Sequence, residues 1–343
     1  MSAGVTIVIV NWNGEKYLRE FLPPIMDTNY KPFYVLLIDN NSSDNSIAFV
    51  ESNYPQIKIL KNTTNVGFAA GNNLAIPHIT TPYVVLLNTD VFVSPNWLGE
   101  LVAVAEANPL AAVIQPKILA YHQPTYFEYA GASGGWIDKW GYPFCRGRIF
   151  DTLEEDKGQY DKPDSIFWAS GACMLIRTEV IHKIGLFEPY FFAHWEEIDF
   201  CWRAQNYGYK IMVAPQSIVW HIGGGTLAKT NPRKIFLNFR NSLLCLLKNL
   251  PTQELFVKIA MRLILDYIVA LKNLCSGRTQ ETRSILYAHY AFLKCLPLFW
   301  KKRKHLPQKR LKTLAGVYHG SIVWQYFIKR KTKFYQLKTD YKA

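Results

Sequence analysis

The 343 residues are 49% hydrophobic and only 19% charged, which supplies a full core and excludes a largely disordered chain. The net charge of +13 hides an asymmetry: residues 1–232 carry 16 Lys and Arg against 22 Asp and Glu, net −6, whereas 233–343 carry 23 against 4, net +19. The six cysteines include no C-x-x-C pair, which argues against a zinc module or a disulfide framework, and the N-terminus has neither a basic stretch nor a small-residue cleavage site, so no signal peptide is expected.

In chain order, Val5–Val10 and Tyr34–Ile38 are short apolar runs that end at Asn11 and Asp39, and Ile57–Leu60 and Tyr83–Leu87 repeat the pattern. Lys16–Leu22, Ser46–Ser52 and Ala69–Ile76 read as the helices between them. This alternation predicts an α/β, Rossmann-like domain with a mostly parallel sheet, whose ligands sit beyond the carboxyl ends of the strands. Asn11-Trp12-Asn13, Asp39-Asn40-Asn41 and Asn88-Thr89-Asp90 fall at that edge. Residues 121–165, rich in Gly, Tyr, Trp and acids without a period, read as a long surface excursion carrying a binding loop. Cys173–Arg177 and Lys210–Ala214 return to strand character.

After Pro232 the chain turns to Leu, Lys and aromatics. From Leu255 to Leu274, apolar Leu255, Phe256, Ile259, Leu263, Tyr267 and Leu271 recur at helical spacing, with Lys258, Arg262 and Asp266 as a charged stripe, so an amphipathic helix is expected. The longest charge-free stretch there, Thr313–Ile328, has 16 residues, short of the roughly 20 needed to span a bilayer. Residues 1–232 are thus expected to form the catalytic domain, and 233–343 a basic amphipathic helical region lying on a membrane or on the core.

Three features carry chemistry. Asp90 follows a strand directly and offers the oxygen ligands that hard divalent cations bridging a diphosphate require. Asn65–Asn73 combines a turn, two glycines and a helix start, allowing backbone amides to approach an anion, but it ends in no Walker Gly-Lys-Ser/Thr and lacks a dinucleotide fingerprint. His194-Trp-Glu-Glu-Ile-Asp-Phe-Cys-Trp-Arg203 places Glu196, Glu197 and Asp199 within four residues at a helix start, and His221 follows one strand later, a candidate ligand beside carboxylates.

Asn11-Trp12-Asn13-Gly14, Leu37-Ile38-Asp39-Asn40-Asn41-Ser42-Ser43-Asp44, Asn65-Val66-Gly67-Phe68, Leu87-Asn88-Thr89-Asp90 and Glu196-Glu197-Ile198-Asp199 occur in the order and spacing of family 2 glycosyltransferases. Over roughly residues 4–228 the chain resembles their rhamnosyltransferase-like and galactofuranosyltransferase-like branch. The resemblance implies a GT-A fold and inverting transfer from a UDP- or dTDP-sugar. Asn11 and Trp12 would line the nucleotide pocket with Asn88 and Thr89, Asp39 would hydrogen-bond the pyrimidine, and Asn65 and Gly67 would pack against the nucleotide. Asp90 matches the last acid of the family's Asp-x-Asp motif, whose first position here is Asn88; with His221 it would hold Mg²⁺ or Mn²⁺. Glu197 stands where the family has its general base, with Glu196 and Asp199 as alternatives.

The expected acceptor is a lipid-linked glycan of bacterial-type cell-surface polysaccharide synthesis. The expected location is peripheral, on the cytoplasmic face of the cell membrane, with a homodimer possible. A nucleotidyltransferase is the competing enzyme class, but Asn11–Gly14 contains no Lys or Arg. A nucleic-acid-binding role for the basic tail is the other alternative; no RRM, KH or zinc-finger signature accompanies the charge, and no nucleic-acid partner is expected.

Overall fold

The computed structural model describes residues 2–223 and 231–337. Its first half alternates strand and helix: β1 (Val5–Asn11), α1 (Glu15–Met26), β2 (Phe33–Asp39), α2 (Ser46–Asn53), β3 (Lys58–Lys61), α3 (Gly67–Ala75) and β4 (Tyr83–Asn88). β5 (Val91–Val93), α4 (Trp97–Ala107), β6 (Ala111–Ala120) and β7 (Gln123–Phe127) follow. Then come five short strands: β8 (Gly135–Asp138), β9 (Pro143–Cys145), β10 (Arg148–Ile149), β11 (Thr152–Leu153) and β12 (Asp164–Ser165). β13 (Cys173–Arg177), α5 (Thr178–Ile184), α6 (Glu196–Asn206) and β14 (Lys210–His221) complete the α/β part. Beyond it lie α7 (Pro232–Asn249), α8 (Thr252–Cys275), α9 (Thr279–Arg303) and β15 (Val317–Tyr318).

The main sheet runs β12-β14-β6-β13-β4-β1-β2-β3, with β5 on β14 and β7 on β6. β3, β2, β1 and β4 are mutually parallel, β13 is antiparallel to β4 and β6, and β14 is parallel to β6. The expected parallel core is present, since β1–β4, β6 and β14 run the same way, but β13 interrupts it and β5, β7 and β12 are antiparallel, so the sheet is mixed. Both faces are covered. Ile7 and Ile9 point into one apolar cluster and Val8 into the other, which is why β1 is an unbroken apolar run rather than an alternating one. Register aligns the tips, because Asn11 pairs with Asp39 and Val10 with Asn88.

The stretch expected as a surface excursion is largely interior. Gly135–Asp138, Phe144, Cys145 and Ile149 are buried, and β8–β11 form a second sheet in the order β11-β10-β9-β8-β15. Strands of two to four residues are too short to show a period, and the partner of β8 arrives from residue 317, far along the chain.

The C-terminal helices pack on the α/β part. Leu243 to Leu247 of α7 are buried, and α7 lies between α6 and α9. Ile322 N–H donates to Asp138 (2.9 Å) and Phe334 N–H to Glu154 (2.7 Å), tying the end of the described chain to the small sheet. The amphipathic helix expected from Leu255 is present as α8, but its faces divide differently: Leu255 is buried and Ile259 and Leu263 pack on the core together with buried Arg262 and Asp266, whereas Phe256, Tyr267, Leu271 and Leu274 are exposed. The basic cluster after Trp300 is likewise divided, with Phe299 and Arg303 inside and Lys301 and Lys304 outside. Among the described residues no helix is long and apolar enough to cross a membrane.

Candidate active site

The tips of β1 and β2 are knitted into one polar wall. Asn11 Nδ2 lies within hydrogen-bond distance of Asp39 Oδ1 (3.2 Å), Ser42 Oγ (3.0 Å) and Ser46 Oγ (2.9 Å), while Ser42 Oγ–H and N–H donate to Asp39 (2.6 and 3.2 Å). Asn11 Oδ1 is buried without a partner, and a Cβ on Gly14 would stand 2.4 Å from it, so only glycine fits there. Next to this wall Trp12 is 47% exposed, an indole face free to stack on a flat ligand. Asn40 Nδ2 extends the wall to Gly67 O (3.1 Å).

Asn65 Oδ1 accepts from Gly67 N–H (2.9 Å), the local turn that opens α3. Gly67 has φ of +84°, and an added Cβ would lie 2.6 Å from the Phe192 ring. Close approach here lets Ala69 N–H donate to Phe192 O (3.0 Å), which couples α3 to the segment leading into α6.

That segment is backbone-strained. Phe192, His194 and Trp195 have φ of 65°, 70° and 75°, each costing on the order of 1 kcal/mol or more for a residue with a side chain. Asn241 of α7 holds it: Nδ2 lies within hydrogen-bond distance of Phe191 O (3.0 Å), Ala193 O (3.1 Å) and His194 O (2.8 Å). Arg240 adds a bond to Tyr190 O (3.0 Å). These contacts, invisible in the sequence because they come from about fifty residues downstream, present the first turn of α6.

The three acids of that turn separate. Asp199 is fully buried and satisfied by Arg203 Nε (2.9 Å), Lys248 Nζ (2.8 Å) and Asn249 Nδ2 (2.8 Å). Burial alone would raise its pKa, but Lys248 and Arg203 outweigh it and hold the carboxyl down at about 2. Asp199 is therefore an anchor, its oxygens turned into the protein, and it does not join the other two. Glu196 is buried, Glu197 only half-buried, and each has one enclosed carboxylate oxygen without a hydrogen-bond partner. Burial, and for Glu196 also the neighbouring Glu197 charge, pushes both above the ordinary carboxylate range, Glu197 to about 7. Glu197 is partly exposed: solvent reaches it, but protein has displaced part of the surrounding water. A half-open carboxylate poised near neutral pH is suited to proton abstraction. His194, at the same turn, is kept neutral by burial, with a pKa lowered to about 4.

Asp90 and His221 meet because β5 pairs with the end of β14, setting Val91 opposite His221. His221 Nε2 is 3.1 Å from Asp90 Oδ1, and Nδ1 is 3.3 Å from Glu128 Oε2, close enough for an ion pair although off hydrogen-bond alignment. Burial opposes the charged form, but Asp90 and Glu128 push the His221 pKa up to about 10; the same interaction, against burial, lowers that of Asp90. Glu128 was not anticipated. It lies in the Tyr126-Phe-Glu-Tyr129 run of a segment with no period, and its acidic character among aromatics was the only available signal.

Among the described residues no three His, Cys, Asp or Glu side chains are grouped to cage a metal. An aspartate oxygen and an imidazole nitrogen nevertheless fit about two of the six positions around Mn²⁺ or Mg²⁺, the remainder being suited to phosphate oxygens and water. Asn88 and Thr89, both half-buried, sit between this pair and the β1–β2 wall along the chain. The polar tips, the strained acidic turn and the Asp-His pair form the candidate site of a GT-A fold. The fold is shared with GalNAc-T7 bound to UDP, GalNAc and Mn²⁺ (TM-score 0.56, 16% identity, 73% of this chain and 48% of that longer one). It is also that of the Pyrobaculum calidifontis mannosyltransferase PcManGT with GDP-Man and Mn²⁺ (0.54, 13%, 89% and 85%) and of S. aureus TarS 1-349 with UDP-GlcNAc (0.55, 13%, 88% and 91%).

The chain belongs to glycosyl transferase family 2, whose family model matches residues 6–185, more than half its length. It is a glycosyltransferase. Similar proteins include N-acetylglucosaminyl-diphospho-decaprenol L-rhamnosyltransferase of Mycobacterium tuberculosis, 24% identical over 239 residues covering 64% of this chain and 76% of that one. Another is the low-salt glycan biosynthesis hexosyltransferase Agl10 of Haloferax volcanii, 24% identical over 247 residues, 70% and 74%.

Proposed function

We propose that the enzyme transfers a sugar, with inversion, from a UDP- or dTDP-sugar to a hydroxyl of a lipid-linked glycan at the cytoplasmic face of a membrane. Residues 1–232 would carry the catalysis and 233–343 the membrane contact. The observation that carries the reading is Glu197: a half-open carboxylate with an unpartnered oxygen, raised toward neutral pH, on a strained turn that also contacts Gly67 beside the nucleotide wall. The relative named for a decaprenyl-diphosphate substrate supports the acceptor class, and the UDP-GlcNAc and Mn²⁺ complexes on the same fold support the donor and cation.

In this reading Trp12, Asn65, Asn88 and Thr89 bound the nucleotide-sugar, and Asp39 receives a hydrogen bond from the base. Glu197 accepts the proton of the acceptor hydroxyl as its oxygen forms a bond to the anomeric carbon. The bond to the nucleoside diphosphate breaks on the opposite face, and its electron pair leaves with the diphosphate. Asp90 and His221 would hold a divalent cation, which when bound supplies charge neutralisation for the departing diphosphate. Glu196, more deeply buried, is itself pushed up by burial and by the Glu197 charge.

A donor screen detecting released UDP or dTDP, followed by NMR of the product's anomeric centre, tests this. An inverted centre is expected; retention would overturn the single-displacement mechanism.

A further inference from the structure

Helices α8 and α9 are apolar on both sides. Their inward side sets Leu255, Ile285, Phe292 and Phe299 beside a polar cluster: Arg262 donates to Gly141 O (2.7 Å) and Ser242 Oγ (3.1 Å), and Asp266 is bonded to Tyr142 OH (3.2 Å) and His289 Nε2 (3.2 Å). Thr282 Oγ1–H donates to Ala270 O (3.0 Å), closing the hairpin near its turn. Outward, α8 presents Phe256, Ile264, Ile268, Leu271 and Leu274, each more than half exposed, and α9 presents Leu286, Tyr290 and Leu293. An amphipathic helix on a water-soluble core turns polar groups outward, so an exposed apolar face of this kind marks a contact surface.

The surrounding charge and aromatics select the partner. The hairpin's three acids, Glu254, Asp266 and Glu281, are buried or half-buried, whereas Lys272, Arg278, Arg283, Lys294, Lys301 and Lys304 are exposed around the apolar face. Tyr267, Tyr287, Trp300 and, just beyond, Trp324 are exposed at its margins, the residue types that settle at headgroup level. A two-fold dimer would press this patch on itself and set its cations against their own copies. An anionic bilayer meets both the apolar face and the cations.

We propose that the α8–α9 hairpin lies in the plane of an anionic membrane leaflet, with its outward apolar face sunk among the acyl chains. This deepens the membrane part of the proposed function: attachment is by insertion of a preformed helical face, not by a basic tail resting on headgroups.

The test uses the full chain labelled at Cys275, the exposed thiol at the end of α8, with an environment-sensitive fluorophore. Vesicles of equimolar phosphatidylcholine and phosphatidylglycerol should shift the emission to the blue, and the bound fraction should persist when salt is raised after binding; pure phosphatidylcholine should bind weakly. The triple variant Ile264→Asn, Ile268→Asn, Leu293→Asn should lower partitioning at least about tenfold without lowering the melting temperature, because these positions are exposed. Absence of a shift, or binding that salt abolishes and the triple variant leaves unchanged, would overturn insertion. A dimer that the variant splits, with no vesicle binding, would assign the face to a second copy instead. None of these readouts needs catalysis, so failure of the transfer reaction with intact insertion would count against the active-site reading alone.

Discussion

Lys248 Nζ, near the end of α7, stands 2.8 Å from Asp199 Oδ2 in the first turn of α6. With Arg203 and Glu188 it forms a buried ionic network, to which Lys302 of α9 also reaches (2.5 Å to Glu188). Part of the charge that makes the C-terminal third so basic is therefore spent inside the protein, fixing the helix that carries Glu197.

Lys248→Met should destabilise the fold by about 3–5 kcal/mol, because it leaves a buried carboxylate short of a cation. Asp199→Asn in the same chain should recover part of that loss. The network also sets an acid limit: the Asp199 pKa is depressed in the folded state to about 2, so its stabilisation is present above the unfolded value near 4 and is lost as pH falls from about 4 to 2. Denaturant titrations of the single and double variants across this range provide the check, and equal stabilities would remove the network from the account.

Asn241→Ala should lower kcat well over tenfold while leaving the donor KM within a few-fold. The loss strands carbonyls of the strained 191–194 segment, at about 1–3 kcal/mol per unsatisfied buried group, and disturbs the base rather than the nucleotide wall. Asn241→Asp, which has no donor, should be no better. A proportional loss in donor binding would instead mean a general structural defect.

Asp90→Ala and His221→Ala should each weaken Mn²⁺ binding in the presence of UDP, measured by titration calorimetry, and chelation should abolish transfer until Mg²⁺ or Mn²⁺ is restored. Unchanged Mn²⁺ affinity in both variants would take the cation away from this pair.

Much of the polar strand-tip edge was legible because it is local in sequence: an apolar run buried on both faces, ending in Asn or Asp, puts its polar tip at the carboxyl edge, and register aligned Asn11, Asp39 and Asn88 there. Asp90 and His221 could be paired by chemistry, but their 3.1 Å contact depends on the β5–β14 ladder. What escaped was set by distant partners. Asp199 could not be told from Glu197 without Lys248 and Asn249, and Glu128 became notable only beside His221. For α8, helical spacing defined two faces but not that Arg262 and Asp266 would be buried beside Leu255, since their partners Gly141, Tyr142, Ser242 and His289 lie elsewhere in the chain.

The pH dependence follows from the raised Glu197 pKa. Only the carboxylate accepts a proton, so kcat/KM should rise with pH and level off above about 7. Folding stability should move oppositely, because the folded state retains a proton that the unfolded chain releases, and stability falls as pH climbs from the unfolded carboxyl value to about 7. Glu197→Gln should therefore melt at a higher temperature than the wild type at pH 8. A pH-independent rate between 5 and 8, both within ordinary assay range, would separate the base from this residue.

The most direct test of Glu197 as the base is the turnover of Glu197→Gln at pH 8, with donor affinity measured on the same preparation. Glutamine keeps the side chain's length and shape but cannot accept the acceptor's proton, so turnover should fall about 10²–10⁴-fold while donor affinity is retained. Turnover within a few-fold of the wild type, with the donor bound normally, would contradict the mechanism.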